Sequence, residues 1–304
     1  MRHSRRRRSM RVSISGAVAV TVLICATTAG SQALLLSAES PATPQTSEAN
    51  SADHRDEQMR ELVEAITVRS LTNDDAPSQT AELIDQPLMR YSDQQRRFPD
   101  ATVWGWKTDG RPLAISKVER VISPVDGNLG WQYCFVSLSP GLIDASWADA
   151  EQWSASQSGV TWRDLPNAPQ AHRSEKGRLL QMKGLARQFE AVISNPRLKQ
   201  KERMRLLPTP ILRYSADSHG ILDGGIFGFT SKGTNPDTLL MFELQESGNE
   251  SNWRFAVVGM TGDAATVRHG GTEVWSKKTT SGPGDHDHWI WRVDWDSDSP
   301  PESE

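Results

Sequence analysis

The densest group of potential ligands in this 304-residue chain is Asp285-His286-Asp287-His288, preceded by Gly282-Pro283-Gly284. Two imidazoles and two carboxylates suit Zn²⁺ or another borderline divalent metal. Neighbouring residues seldom converge on one ion unaided, so His286 and His288 qualify as ligands only if a remote residue such as His219 or His269 joins them. The plainer reading is a solvated polar loop, with no metal and no cofactor. Asp100, Asp223, Glu119 and Glu243 form a second group, at matched places in a repeat described below. A pseudo-twofold interface would bring such carboxylates together for acid-base work, whereas a turn or cap accounts for the two aspartates more simply. Trp289, Trp291 and Trp295 share one side of a strand because side chains alternate with period two. An exposed indole row would stack on the C–H faces of sugars, and a buried one would fill a core. Trp104 and Trp106 form a shorter row of the same kind, read as core. No His-Glu-x-x-His run, Gly-x-Ser-x-Gly elbow or Cys/His nucleophile pair occurs.

The elements that must hold these residues are written twice. Pro87-Leu88-Met89-Arg90-Tyr91-Ser92 recurs as Pro210-Ile211-Leu212-Arg213-Tyr214-Ser215, and Val103-Trp104-Gly105-Trp106 answers to Ile226-Phe227-Gly228-Phe229. Upstream, Met59, Leu62, Val63 and Ile66 align with Met182, Leu185, Ala186 and Phe189, the buried stripe of a helix. Downstream, Glu119 aligns with Glu243, and Trp131 to Val136 with Trp253 to Val258. Arg90 and Asp100 stand ten residues apart, as do Arg213 and Asp223, which makes each couple a candidate structural ion pair within its own module.

Turn signals such as Asp109-Gly110 and Asp126-Gly127 divide each module into short strands. The expected fold is α+β: two tandem modules, residues 56–165 and 176–294, each one amphipathic helix followed by an antiparallel meander of about five strands. The repeated Arg-Tyr-Ser strand, Gly110-Arg111-Pro112, Gly233-Thr234-Asn235-Pro236 and Trp162-Arg163-Asp164-Leu165-Pro166 resemble an uncharacterised family of exported planctomycete-type bacterial proteins. That resemblance implies export and supports the module boundaries. It implies no activity.

Arg2, Arg5, Arg6, Arg7, Arg8 and Arg11 precede an uncharged run to Ala38, the order of a secretory leader. Residues 1–38 therefore read as a signal peptide or, uncleaved, as a transmembrane signal anchor in contact with the membrane. The C-terminal mass then lies outside the cytoplasm, in the periplasm or on the membrane's outer face. Residues 39–55 read as a disordered linker and 295–304 as an acidic disordered tail. Beyond residue 38 the chain carries 28 Lys and Arg against 38 Asp and Glu, which disfavours nucleic acid as a partner. Cys134 is alone in the exported part, inside an apolar strand, so no internal disulfide forms there. These features point to a non-enzymatic binding or structural protein of the cell envelope with a glycan or protein partner. The alternative is an envelope hydrolase acting on glycan or peptide material through carboxylates at the module interface.

Overall fold

The computed structural model describes residues 45–71, 78–147, 152–195, 200–248, 250–280 and 284–296. The fold is that of the unit Thr46–Glu304. The targeting segment 1–38 lies outside the described residues, as does most of the acidic tail.

The first half runs α1 (Gln45–Glu64), β1 (Thr67–Leu71), β2 (Gln79–Thr80), β3 (Glu82–Leu83), β4 (Met89–Asp93), β5 (Phe98–Thr108), β6 (Arg111–Ile122), β7 (Leu129–Ser137), β8 (Leu142–Ser146), β9 (Gln152–Ser154) and β10 (Arg163–Asp164). The second runs α2 (Glu175–Ala186), β11 (Phe189–Asn195), β12 (Gln200–Arg203), β13 (Arg205–Leu206), β14 (Leu212–Ala216), β15 (Ile221–Thr230), β16 (Thr238–Ser247), β17 (Glu250–Gly259), β18 (Ala264–His269), β19 (Thr272–Lys277), β20 (Gly284–Asp285) and β21 (Trp289–Trp295).

This is a β-rich protein of four antiparallel sheets, with two helices among the described residues. The expected α+β fold of two helix-plus-meander modules is corrected. In each half the short strands flanking the helix and following the long hairpins build a separate small sheet, β2-β1-β8-β9 or β12-β11-β18-β19. Strands as short as Leu142-Ile143-Asp144-Ala145-Ser146 carry too few apolar residues to show period two by themselves. α1 also begins at Gln45, inside the stretch read as linker. The expected transmembrane helix finds no support among the described residues, where no helix is long and apolar enough to cross a membrane; the segment 1–38 expected to form it lies outside them. α1 is the longest, and it carries charge along its length from Glu48 to Glu64.

The large sheets are β20-β21-β7-β6-β5-β3 with β4 on β5, and β10-β17-β16-β15-β13 with β14 on β15. Each half ends in a strand that joins the other half's sheet: β10 pairs with β17, and β21 with β7. Three cores follow from the alternation of side chains. Val103, Ile115, Cys134 and Val136 meet Ile226, Leu239, Met241 and Val258 in a central core between the large sheets. Residues on the opposite sides of the same strands, Trp104, Trp106 and Phe135, pack on Met59 and Val63 of α1 and on the first small sheet. Phe227, Phe242 and Phe255 do the same under α2 and the second. β5, β6, β15 and β16 are thus covered on both faces, the condition under which strands become near-continuously apolar.

Two glycines show how closely the halves approach. Gly110 has φ +83°, and a Cβ there would stand 2.5 Å from the carbonyl oxygen of Ser215. Its counterpart Gly233, φ +52°, faces Ser92 of the other half in the same manner, at 3.5 Å.

Candidate ligand cavity between the halves

β6 is covered on both faces yet carries Ser116, Lys117 and Glu119, all buried. Period two places Lys117 and Glu119 on the side of Ile115, so both polar groups enter the central core. A buried charge is tolerable only when paired and hydrogen-bonded, and the surroundings of Glu119 supply this. Tyr91 Oη donates to its Oε1 at 2.6 Å, Asn235 Nδ2 to the same oxygen at 3.2 Å, and Gln132 Nε2 to Oε2 at 2.7 Å. Lys117 Nζ lies 4.0 Å away and donates to Asn235 Oδ1 at 3.0 Å and to the carbonyl of Pro236 at 3.3 Å. The network continues through Asp93, 3.4 Å from both Asn235 and Arg96, to Asp237, 2.9 Å from Arg96. Burial, then the Glu119 charge, hold the Tyr91 hydroxyl well above the ordinary phenol range, so it remains a donor.

Glu243 occupies the same place in the second half with different company. Tyr214 Oη donates to its Oε1 at 3.0 Å, as Tyr91 does to Glu119. Opposite Glu119 on the β6–β7 ladder stands Gln132, whereas opposite Glu243 on the β16–β17 ladder stands Arg254. Reaching in from the first half, Arg111 sets Nε and Nη2 at 3.0 and 3.2 Å from the Glu243 carboxylate; Arg254 approaches to 2.5 Å. Both guanidinium groups also lie over the Trp162 ring, 5.5 and 4.9 Å from its centroid. Arg111-Pro112 and Asn235-Pro236 are the matched crossing residues, so each half sends one side chain to the other's glutamate.

Around Glu119 the shorter Gln132 and Asn235 leave a cavity of about 580 Å³. Its wall includes Arg96, Lys117, Glu119, Gln132, Asn235 and Trp291, and Cys134, Met260 and Trp289 extend it. Size and mixed lining are those of a small-molecule site. Trp291 faces Cys134 across the β21–β7 ladder and takes the place that Trp162 holds in the other half. Its indole Nε1 is buried without a hydrogen-bond partner among the described residues, and so is Thr279 Oγ1, also on the wall. Burial pushes the Cys134 thiol up to about 11, which keeps it protonated and unreactive at neutral pH.

Of the tryptophan row, Trp289 is buried with its ring against His286 (centroids 4.4 Å apart) and under Lys277 Nζ at 4.7 Å. Trp291 is half-buried on the cavity wall, and Trp295 is exposed over Gly130. The row is therefore graded from core to surface, unlike a continuous stacking strip.

The remaining candidates lie elsewhere. Arg213 grips Asp223 through Nε at 3.0 Å and Nη2 at 2.7 Å, and Arg178 of α2 adds a third contact at 2.7 Å. Arg90 stands 3.5 Å from Asp100, which Arg55 of α1 also meets at 3.1 Å; Arg90 pairs with Asp56 as well. Both aspartates thus anchor a helix to a large sheet. Among the described residues no group of three His, Cys, Asp or Glu is placed to hold a metal. The loop of His286 and His288 instead ties the halves: Asp287 O accepts from the Ser156 and Gln157 amides, and His286 O from Trp153 Nε1. Burial lowers the His288 imidazole below its ordinary range.

Sequence reading missed Lys117, Gln132 and Asn235. Their signal lay in the repeat itself, at the positions where its two copies differ in charge. No family model matches the chain, and neither a curated protein nor a solved structure matches it.

Proposed function

We propose that this is an exported, non-enzymatic binding protein of the cell envelope, and that the cavity beside Glu119 is its ligand site. One observation carries the reading. The same constellation exists twice: around Glu243 it is filled by the protein's own Arg111 and Arg254, and around Glu119 it is left open. A solvent-accessible pocket of this size, lined by charged, hydrogen-bonding and aromatic groups, is the kind of concave site that holds a small ligand. The hydrolase alternative needs two carboxylates facing a common substrate. Asp100, Asp223 and Glu243 are each bound by arginines, and Asp263, the other acid on the cavity wall, accepts from Asn195 Nδ2 at 3.1 Å.

The test is ligand-observed NMR of the wild type and of Gln132→Arg, which imports the second half's residue at the matched ladder position. Mixtures of monosaccharides, amino acids and small amines serve as probes. Compounds that bind the wild type and are lost in Gln132→Arg support the reading. A set of binders unchanged by the substitution would refute it.

A further inference from the structure

The two copies of the constellation tell more than that one is open. Around Glu243 the chain shows what such a site accepts: a planar cation held by the glutamate and laid over the indole of Trp162. Arg254 sets Nε and Nη2 on one oxygen of Glu243, and such a charge-assisted contact combined with cation–π stacking holds a guanidinium strongly and weakens sharply for a neutral isostere. The Glu119 copy keeps the glutamate, the tyrosine and the indole, as Trp291, but has lost both arginines. Among the described residues no cation lies over the Trp291 ring.

The charge tally agrees. Glu243 with Arg111 and Arg254 leaves one positive charge in excess. The Glu119 network has three carboxylates, Asp93, Glu119 and Asp237, against Arg96 and Lys117, and so one negative charge in excess. On the outer wall Asp263 and Arg97 offset each other. Lys277, over Trp289, is an opposing cation, still mostly protonated at neutral pH although burial pushes its amine down to about 8, so the negative excess resides in the network around Glu119 and not in the cavity as a whole.

Building on the cavity proposed above, we infer that it selects a small organic cation, a guanidinium or primary ammonium compound, with Glu119 as counter-ion and Trp291 as stacking surface. The second half is the internal template: its Arg254 side chain marks where the ligand's charged group sits in the first. Lys117 does not substitute for that ligand, because its amine is committed to Asn235 and the Pro236 carbonyl.

Isothermal titration calorimetry with three probes of one size tests this: n-butylguanidinium, neutral n-butylurea and anionic pentanoate. The wild type should bind the cation at least tenfold more tightly than the urea and the anion not at all. Gln132→Arg, which places a guanidinium in the site, should abolish binding, and Glu119→Gln should weaken it at least tenfold. Circular dichroism establishes that each variant is folded, and the comparison of probes on the wild type stands without either. If butylurea or pentanoate binds as well as the cation and is lost in Gln132→Arg, the cavity is a ligand site and the cation assignment falls. Failure of the cation to bind overturns the inference. Binding that is indifferent to Gln132→Arg overturns the cavity reading with it.

Discussion

Arg213 lies on β14 with two of its nitrogens on Asp223 of β15, at 3.0 and 2.7 Å, and the aspartate side chain is only 3% exposed. The equivalent couple in the first half is looser, with Arg90 at 3.5 Å and Asp100 more open to water. A buried carboxylate that loses its charge strands its arginines, whereas an exposed pair contributes little.

Asp223→Asn should therefore cost about 3 kcal/mol, and Asp100→Asn about 1 kcal/mol or less. Urea denaturation of the two variants measures this. Adding Arg213→Met to Asp223→Asn should cost less than the sum of the single changes, because the pair acts as a unit. Equal losses in the two halves would contradict the difference in burial.

Gly110→Ala should be far more damaging than Gly127→Ala. Both glycines have positive φ, +83° and +76°, so each substitution carries the backbone strain of about 1 kcal/mol. Only at Gly110 would the new Cβ press on a backbone oxygen of the other half, at 2.5 Å; at Gly127 it meets open space. Thermal melts should show a clearly larger drop for Gly110→Ala. Similar drops would mean that the halves are less tightly apposed than the geometry requires.

Lys277 gives a pH test with a definite sign. Its amine titrates near 8 when folded against an ordinary 10.5, with burial as the first cause. Between these values the unfolded chain holds a proton that the folded chain has lost, so stability rises with pH across that window and is flat below it. Relative to Lys277→Met, the wild type should gain roughly 1 kcal/mol between pH 7.5 and 9. Cys134, raised to about 11, acts in the opposite sense above pH 9 but is present in both proteins. Denaturation curves at the two pH values supply the difference, and a pH-independent one would rule out a depressed lysine.

Arg254→Gln should destabilise the protein more than Gln132→Ala, by about 2 kcal/mol or more. Glu243 is fully buried and would keep only Arg111 and Tyr214, while Glu119 would retain Tyr91 and Asn235 when Gln132 is removed. Guanidinium chloride would itself occupy the proposed site, so urea is the denaturant of choice.

What the sequence reveals and what it hides follow from the range of each interaction. Arg90 and Asp100, or Arg213 and Asp223, are ten residues apart on strands joined by a tight connection, so local spacing brings them within reach. Their third partners, Arg55 and Arg178, come from helices 45 residues away, and nothing local marks them. The strand exchange that sets Trp291 beside Cys134 is likewise decided by packing between halves. Alternation along Ile115-Ser116-Lys117-Val118-Glu119 places two charges on the side of an apolar residue, but only the covering second sheet turns that side into an interior. The readable trace of the site is the mismatch between copies, Gln132 against Arg254 and Asn235 against Arg111.

The central claim is that the open copy takes from solution the group that the closed copy carries on its own chain. A crystal structure of the wild type grown with n-butylguanidinium tests it most directly. The account predicts planar density within about 6 Å of the Trp291 ring centroid and within hydrogen-bonding distance of Glu119, matching the Arg254 guanidinium over Trp162. A cavity holding only water at a saturating concentration of the cation, or density bound away from Glu119 and Trp291, would contradict it.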